Sequence, residues 1–418
     1  MYETLTDIFD AVAVKYLKAV DVPKIRAKSK GSNQHELGGL VKAGFRDYLG
    51  TPGKTETFKY NASMAYIRDD DEDPVTCKDI VSWYDSRRHK SHRSPEYRLY
   101  YSDNEVIDEI KESDFMLVAI TKSKELVMVF APQNSVAEQQ LRTIFSIGDS
   151  KADDKFREVN LSESKLLLPI QTVLAQLGID LYNTNTEQES KLELLLNEFK
   201  GSFPKTKQFS EFARQHSEPI DPLASPDDSL LIWMSEEEQL FRLLERHIVA
   251  VRLQQGFGEN GDDVNEFISF SLSVQNRRKS RVGHAFENHL EAIFNSHVLM
   301  FERGKRTEGK QTPDFLFPGQ QAYKDHKFPS ERLRMLGAKT SCKERWRQVL
   351  AEANRISQKH LITMEPAIST EQTEQMREKN LQLIVPEKLQ QTYTEDQRQH
   401  LLTLSGFISE VKTLQQVS

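Results

Sequence analysis

The sequence predicts two halves of different class: a mostly β N-terminal domain with one or two helices, and an α/β C-terminal domain. Three observations carry this. Phe58, Tyr60, Ala62, Met64 and Tyr66 alternate with Lys59, Asn61, Ser63 and Ala65, the period of a half-buried strand. Further along, two short apolar runs, Pro313–Pro318 and Leu333–Lys339, sit between segments of helical spacing. The length, 418 residues, suits two or three domains at roughly 100–200 residues each.

In order, Glu36 to Leu49 places Leu37, Leu40, Val41, Phe45 and Tyr48 at helical spacing. Strands follow at Phe58–Tyr66, around Val75–Trp83 and at Tyr97–Tyr101. Phe115–Thr121 and Glu125–Phe130, joined by Lys122-Ser123-Lys124, read as a hairpin. Several short strands and one helix suggest a small barrel. Patternless charge over Ser150–Glu158 marks one boundary. Helical segments near Ser164–Leu177 and Glu187–Phe199 follow, and Gly201-Ser202-Phe203-Pro204 marks a second. The division is therefore 1–150, a helical connector 151–202, and 203–418. Pro219, Pro222 and Pro226 indicate a loop, and Glu236–Gln255 a helix. His284–Phe294 is a helix bearing Glu287 and Glu291. Asp314 opens a short strand, and Lys339 ends another 25 residues later. Ser341 and Glu344 form a capping box for a helix reaching about His360, with Trp346, Val349, Leu350, Ala353 and Ile356 on its apolar stripe and Glu352 beside it.

The net charge of -7 argues against a protein that coats nucleic acid along its whole surface. Local basic clusters stand out instead: Lys24 to Lys30, Arg87 to Arg98, Arg277 to Arg281, and Lys339 to Arg347. No apolar run approaches the ~18 residues of a membrane span, and no secretory signal is visible, so an intracellular, cytoplasmic protein is expected. Cys77 and Cys342 are too few for a disulfide framework or a cysteine-rich zinc site, and Cys342 reads as packing.

Asp314, Lys339, Glu287 and Glu352 are the parts for metal-assisted phosphodiester hydrolysis. Oxygen ligands hold Mg²⁺, which polarises phosphate and lowers the pKa of a water. A lysine neutralises developing charge. Gly337 stands two positions before Lys339.

The stretch Ser273–Leu361 resembles the catalytic domain of the EcoRII restriction endonuclease family, on the PD-(D/E)XK fold, which implies an α/β domain with a mixed central sheet. The residues that carry this are Asn276 to Gly283, Glu287, Leu290-Glu291, Pro313 to Pro318, Tyr323 and Ala338 to Leu350. Similarity continues through Gln372–Glu374, Met376–Glu378 and Leu383–Pro386. The resemblance implies catalytic Asp314, Lys339, Glu352, Glu287 and Tyr323, with Glu352 supplying the acid missing at Gly337. Mg²⁺ would bind Asp314, Glu352 and Glu287. It implies double-stranded DNA as substrate, CC/GG-type half-sites, and Arg345 and Arg347 reading guanines, with Lys343, Arg277 and Arg278 as further contacts. Arginine can pair bidentately with guanine. Two symmetric half-sites imply a homodimer.

Residues 1–150 resemble, more weakly, the effector pseudobarrel of EcoRII-type enzymes through Lys28 to Leu37 and Trp83 to Arg88. Lys28, Lys30, Asn33, Gln34 and His35 would form one DNA-contacting arm, and Arg87, Arg88, Lys90 and Arg93 the other. This domain would bind a further target copy and regulate cleavage. Two other readings stay open: a repair or nicking nuclease on the same fold, and a DNA-binding regulator with an inactive nuclease domain. The complete acid–lysine set speaks against the second.

Overall fold

The structure, a computed structural model, describes residues 4–22, 35–68, 74–90, 92–147, 155–159, 161, 186–258, 261–309, 311–342 and 346–416. The chain divides into two compact units, Met1–Asn183 and Thr184–Ser418.

The first unit has eight strands: β1 (Phe9–Tyr16), β2 (Glu36–Gly38), β3 (Phe58–Tyr66), β4 (Val75–Asp85), β5 (Tyr97–Tyr100), β6 (Phe115–Thr121), β7 (Leu126–Ala131) and β8 (Arg157–Glu158). They form one sheet in the order β2-β5-β4-β3-β7-β6-β1-β8. β3 and β4 pair antiparallel from Phe58↔Trp83 to Tyr66↔Val75, and β6 and β7 form the expected hairpin. β3 and β7 run parallel. One face buries Trp83, Leu99, Met64 and Met116. The other packs Leu117 and Val129 against Leu141, Ile144 and Phe145 around the helix Val136–Ile144. The first edge curls towards the last: a Cβ on Gly39 would stand 3.6 Å from the Phe156 ring, and one on Gly44 3.7 Å from the Glu158 carboxylate.

One expectation fails here. Glu36–Leu49 is not one helix but β2, a 3₁₀ turn at Leu40–Ala43 and a single helical turn at Arg46–Leu49. Gly39 and Gly44 break it, with φ of 99° and 79°, conformations that glycine adopts without a Cβ penalty. β1 was not expected as a strand. It is buried on both faces, so it lacks alternation, and its Lys15 is accommodated by a 2.6 Å ion pair to buried Asp21. The predicted helix Ser164–Leu177 lies outside the described residues.

In the second unit, β9 (Glu302–Arg303), β10 (Phe315–Phe317), β11 (Arg334–Lys339), β12 (Lys359–Thr363) and β13 (Leu381–Ile384) form a sheet in the order β13-β12-β11-β10-β9. β9, β10 and β11 are antiparallel and β11, β12 and β13 parallel, so the sheet is mixed, as expected. The helix Thr186–Phe199, assigned by sequence to the connector, belongs to this unit. Its Leu195 is buried with Phe209, Phe212, Leu240 and Phe241.

Helix lengths depart from expectation in both directions. The first long helix is Pro226–Gln255, starting ten residues early, with Pro226 in its first turn rather than in a loop. Proline suits that position because the amide it lacks would be unpaired there anyway. Asp227 in the same turn accepts the amides of Glu387, Leu404 and Ser405 at 3.2, 2.9 and 2.9 Å. The second long helix is Val264–Ser296. The helix expected to reach His360 is only Trp346–Leu350. Ala353 takes φ 48°, and the chain turns into β12. Trp346, Val349, Ala353 and Ile356 of the predicted stripe are still buried, and Leu350 half-buried, because a compact turn covers Ala353 and Ile356 as well as a helix would.

Candidate active site

β10 and β11 pair antiparallel with Phe315 opposite Leu336. That register brings Asp314, just before β10, alongside the end of β11. The Ala338 amide donates to Asp314 Oδ2 at 2.7 Å, and Lys339 Nζ donates to the same oxygen at 2.8 Å. Both side chains keep some access, 17% for Asp314 and 23% for Lys339.

Glu352 does not ride on a helix, as the sequence suggested. It sits in the turn that follows Trp346–Leu350, its amide donating to the Val349 carbonyl at 3.2 Å. Its Oε2 is buried without a hydrogen-bond partner. Burial first, then the neighbouring Asp314, raise its carboxyl pKa to about 7 against the opposing pull of Lys339 and Lys359. Two acids thus face one another beside one lysine.

The glycine at 337 has a steric cause. A Cβ there would lie 2.9 Å from Val349 Cγ2, so the space an acid would need on β11 is already filled from the following helix. The turn that carries Glu352 is held from several sides. Lys359 Nζ, from the start of β12, donates to the carbonyls of Ala353 and Ile356 at 2.7 and 2.5 Å. The amides of Asn354 and Arg355 donate to Glu308 Oε2 and Tyr323 Oη at 3.3 and 3.1 Å. Tyr323 lies on the short helix Gln320–Lys324, is buried, and donates its hydroxyl to Glu308. Burial and Glu308 push that hydroxyl up to about 12.

Glu287 is placed differently from the other acids. Arg303 on β9 grips its Oε2 through Nε and Nη2 at 3.0 and 2.7 Å, and also reaches Glu291 and Asn288. Glu287 does line the same groove as Lys339, a space of about 880 Å³ to which Asn276, Arg277 and Thr340 also contribute. Among the described residues, no group of three His, Cys, Asp or Glu side chains is placed to hold a metal ion. Asp314 and Glu352 stand near one another, while Glu287 is held by Arg303.

The basic residues divide. Arg277 faces the groove and stacks 3.9 Å over the Phe203 ring. Arg278 turns to Glu245, which is buried, with contacts of 2.7 and 2.6 Å. Arg347 is exposed, lies 4.7 Å over the Trp346 ring and reaches Gln375 at 3.1 Å. Lys343 and Arg345 lie outside the described residues. Cys342 is buried and its thiol pKa is pushed up by that burial, which leaves it inert. Sequence reasoning missed Arg303, Glu308, Lys359 and Glu365, the last of which accepts the Cys342 amide just beyond Lys339. None sits in a motif, and only their contacts in space single them out.

In the first unit, Lys28, Lys30, Asn33 and Gln34 lie outside the described residues. His35 is described, its Nδ1 3.4 Å from Asp103. The loop after β4 is organised by buried Asp85, whose Oδ1 accepts the amides of Arg87 and Glu96 at 2.9 and 2.8 Å. Arg87 pairs with Glu96 at 2.6 Å, and Arg88 lies 4.9 Å over the Tyr84 ring. Lys90 and Arg93 are exposed at the tip. Among the described residues no helix is long and apolar enough to cross a membrane.

Residues 241–408 match the family described as EcoRII C terminal. Over 213 residues the chain is 43% identical to the type II restriction enzyme EcoRII of Escherichia coli, an alignment covering 51% of each. The chain thus spans about half the length of the curated relative it matches. Two solved structures of Ecl18kI, metal-depleted and in complex with uncleaved DNA or uncleaved, modified DNA, each align at TM-score 0.43 and 20% identity, covering 54% of this chain and 84% of theirs.

Proposed function

We propose that this chain, EcoRII-like over its C-terminal region, is a type II restriction endonuclease that hydrolyses double-stranded DNA at a specific sequence with Mg²⁺. The observation that carries the reading is the buried, unpartnered Oε2 of Glu352 facing Asp314, next to Lys339. An acid held this way is costly unless something cationic joins it. Asp314 and Glu352 fit Mg²⁺, which takes one or two carboxylates and fills its remaining positions with water and phosphate oxygens. When bound, Mg²⁺ supplies Lewis-acid polarisation of the scissile phosphate and a more acidic water.

The rest is done by the chain. The Ala338 amide and Lys339 fix the orientation of Asp314. An ammonium has three donors, and Lys339 spends one on Asp314, so two remain for a phosphate oxygen or the attacking water. That water adds to phosphorus, one P–O bond of the backbone breaks, and the departing oxygen takes a proton. Glu287 and Arg303 shape the groove wall rather than hold the cation. Arg277 from that wall, and Arg347 with Lys343 and Arg345 from the segment after Lys339, are the DNA contacts, reading CC/GG-type half-sites in a homodimer.

The first unit, 1–183, is assigned the effector role: its basic loop Arg87–Arg93 with His35, Lys28, Lys30, Asn33 and Gln34 binds a further target copy and gates cleavage. Digestion of DNA of known sequence with and without Mg²⁺, followed by sequencing of the ends, tests the core of this. Discrete ends at one recurring sequence are expected. Random ends, nicks in one strand only, or no cleavage with intact binding would each overturn it.

A further inference from the structure

We infer that Lys359 is a positioning residue for Glu352, and that it acts by fixing the turn on which Glu352 stands. The inference rests on the reading of Glu352 as a metal-binding acid. Lysine is among the residues least often fully buried, yet Lys359 is only 6% exposed. Its ammonium is not spent on a carboxylate: it donates to two main-chain carbonyls, those of Ala353 and Ile356, at 2.7 and 2.5 Å. These carbonyls lie one and four residues beyond Glu352, in a turn where Ala353 has a positive φ and no helix supplies hydrogen bonds.

From the opposite side, Glu308 accepts the amide of Asn354 and Tyr323 that of Arg355. Arg355 in turn donates to the carbonyls of Asp325 and Phe328 at 3.0 and 2.8 Å. Carbonyls held by Lys359 and amides held by Glu308 and Tyr323 leave the turn little freedom. The chemistry explains why such a clamp is needed. The usual acid stands on a strand, whose ladder fixes it, and Val349 has closed that position at Gly337. An acid moved to a turn has no ladder, so its rigidity must come from side chains. An apolar residue of similar length at 359 would fill the space without desolvating a charge, which makes the lysine hard to explain by packing alone.

The test uses the full chain with Lys359→Met, Lys359→Arg and Glu308→Ala. Four quantities are measured: cleavage kcat, target affinity without metal, Mn²⁺ binding to the protein–DNA complex by electron paramagnetic resonance, and Tm. Lys359→Met is expected to weaken Mn²⁺ binding and lower kcat about 10–100-fold, as loss of a supporting contact to a metal ligand does. Metal-free target affinity should stay within about twofold, and Lys359→Arg should recover part of both losses. Unchanged Mn²⁺ binding and kcat in Lys359→Met would overturn the inference, and so would equal losses of kcat and metal-free affinity that track Tm. Should Lys359→Met not fold, Glu308→Ala, which releases the other side of the turn, is judged by the same criteria. Failure of the underlying reading shows separately, as Glu352→Ala cutting at the wild-type rate.

Discussion

The two units use charge in opposite ways. In the second, the sheet drives like charges together and leaves one unsatisfied: Glu352 is half-buried beside Asp314, with a buried carboxylate oxygen lacking a partner. In the first, the basic loop after β4 is satisfied within itself, through Arg87 to Glu96, Arg98 to Glu36 and Glu96, and Asp85 capping the turn. A buried mismatch is a site waiting for a cation, and it costs stability until one arrives. A half-buried, paired set of arginines can exchange intramolecular partners for phosphates at little cost, since surface ion pairs are each worth only ~0–1 kcal/mol. Chemistry is expected where the fold holds strain in its charges, and docking where it does not.

The largest effect that can break this contrast is on cleavage. Asp314→Ala, Lys339→Ala or Glu352→Ala should each cut the rate by at least about 10²–10³-fold while target binding in Ca²⁺ persists. Single-turnover cleavage and a gel-shift assay check it, and activity near wild type in any of the three would remove that residue from the site.

Next in size is a pH effect on the metal-free protein. The folded pKa of Glu352, raised to about 7, lies above its ordinary 4.5. The folded state therefore holds the proton more tightly than the unfolded chain. Stability from this group is full below about 4.5 and is lost as pH rises to about 7, by at most about 3 kcal/mol and less for a partly accessible group. Metal-free Tm should fall across that window, Glu352→Gln should flatten this part of the fall, and Mg²⁺ should restore Tm at pH 8. A fall of equal size in Glu352→Gln would show that the mismatch lies elsewhere.

The comparison is sharpened by separating the units. A fragment 184–418 should fold and cut one-site DNA without added target oligonucleotide. A fragment starting at 203 loses Leu195, Leu196 and Phe199 from the cluster around Phe209 and Phe241, and should be less stable by a few kcal/mol, at about 1.5–3 kcal/mol per fully buried large side chain. Equal denaturation midpoints for the two would mean that helix Thr186–Phe199 adds nothing to the unit. In the whole chain, replacing His35, Arg87 and Arg88 together with alanine should remove stimulation by oligonucleotide. A variant stimulated like wild type would dismiss the effector role.

The smallest expected effect concerns the groove wall. Gly283 stands inside helix Val264–Ser296, and a Cβ there would meet no atom within 4 Å. Gly283→Ala should stabilise the protein by up to about 1 kcal/mol, read as a rise in Tm.

How much of this the chain made legible depended on the kind of signal. β3, with one wet face, announced itself by alternation. β1 and the helix Val136–Ile144 did not: the first is buried on both faces, and the second is short. Asp314 and Lys339 were visible because each stands at the end of an apolar run. Glu352 was visible beside an apolar stripe and its role was implied by resemblance, but its support was misjudged, because a turn that buries Ala353 and Ile356 leaves the same apolar spacing as a helix. The ion pair of Glu287 with Arg303 joins residues 16 apart on a helix and a strand, and no local pattern encodes it.

The contact between Gly337 and Val349 also bears on how such a site changes over generations. Restoring an acid at 337 alone would drive it into Val349, while shrinking Val349 alone would leave a hole in the core. Neither single step is neutral, so the arrangement works as a ratchet: placing an acid at 337 requires two substitutions made together. Descendants of this chain should therefore keep a small residue at 337 for as long as they keep a branched one at 349, whichever DNA sequence they come to cut.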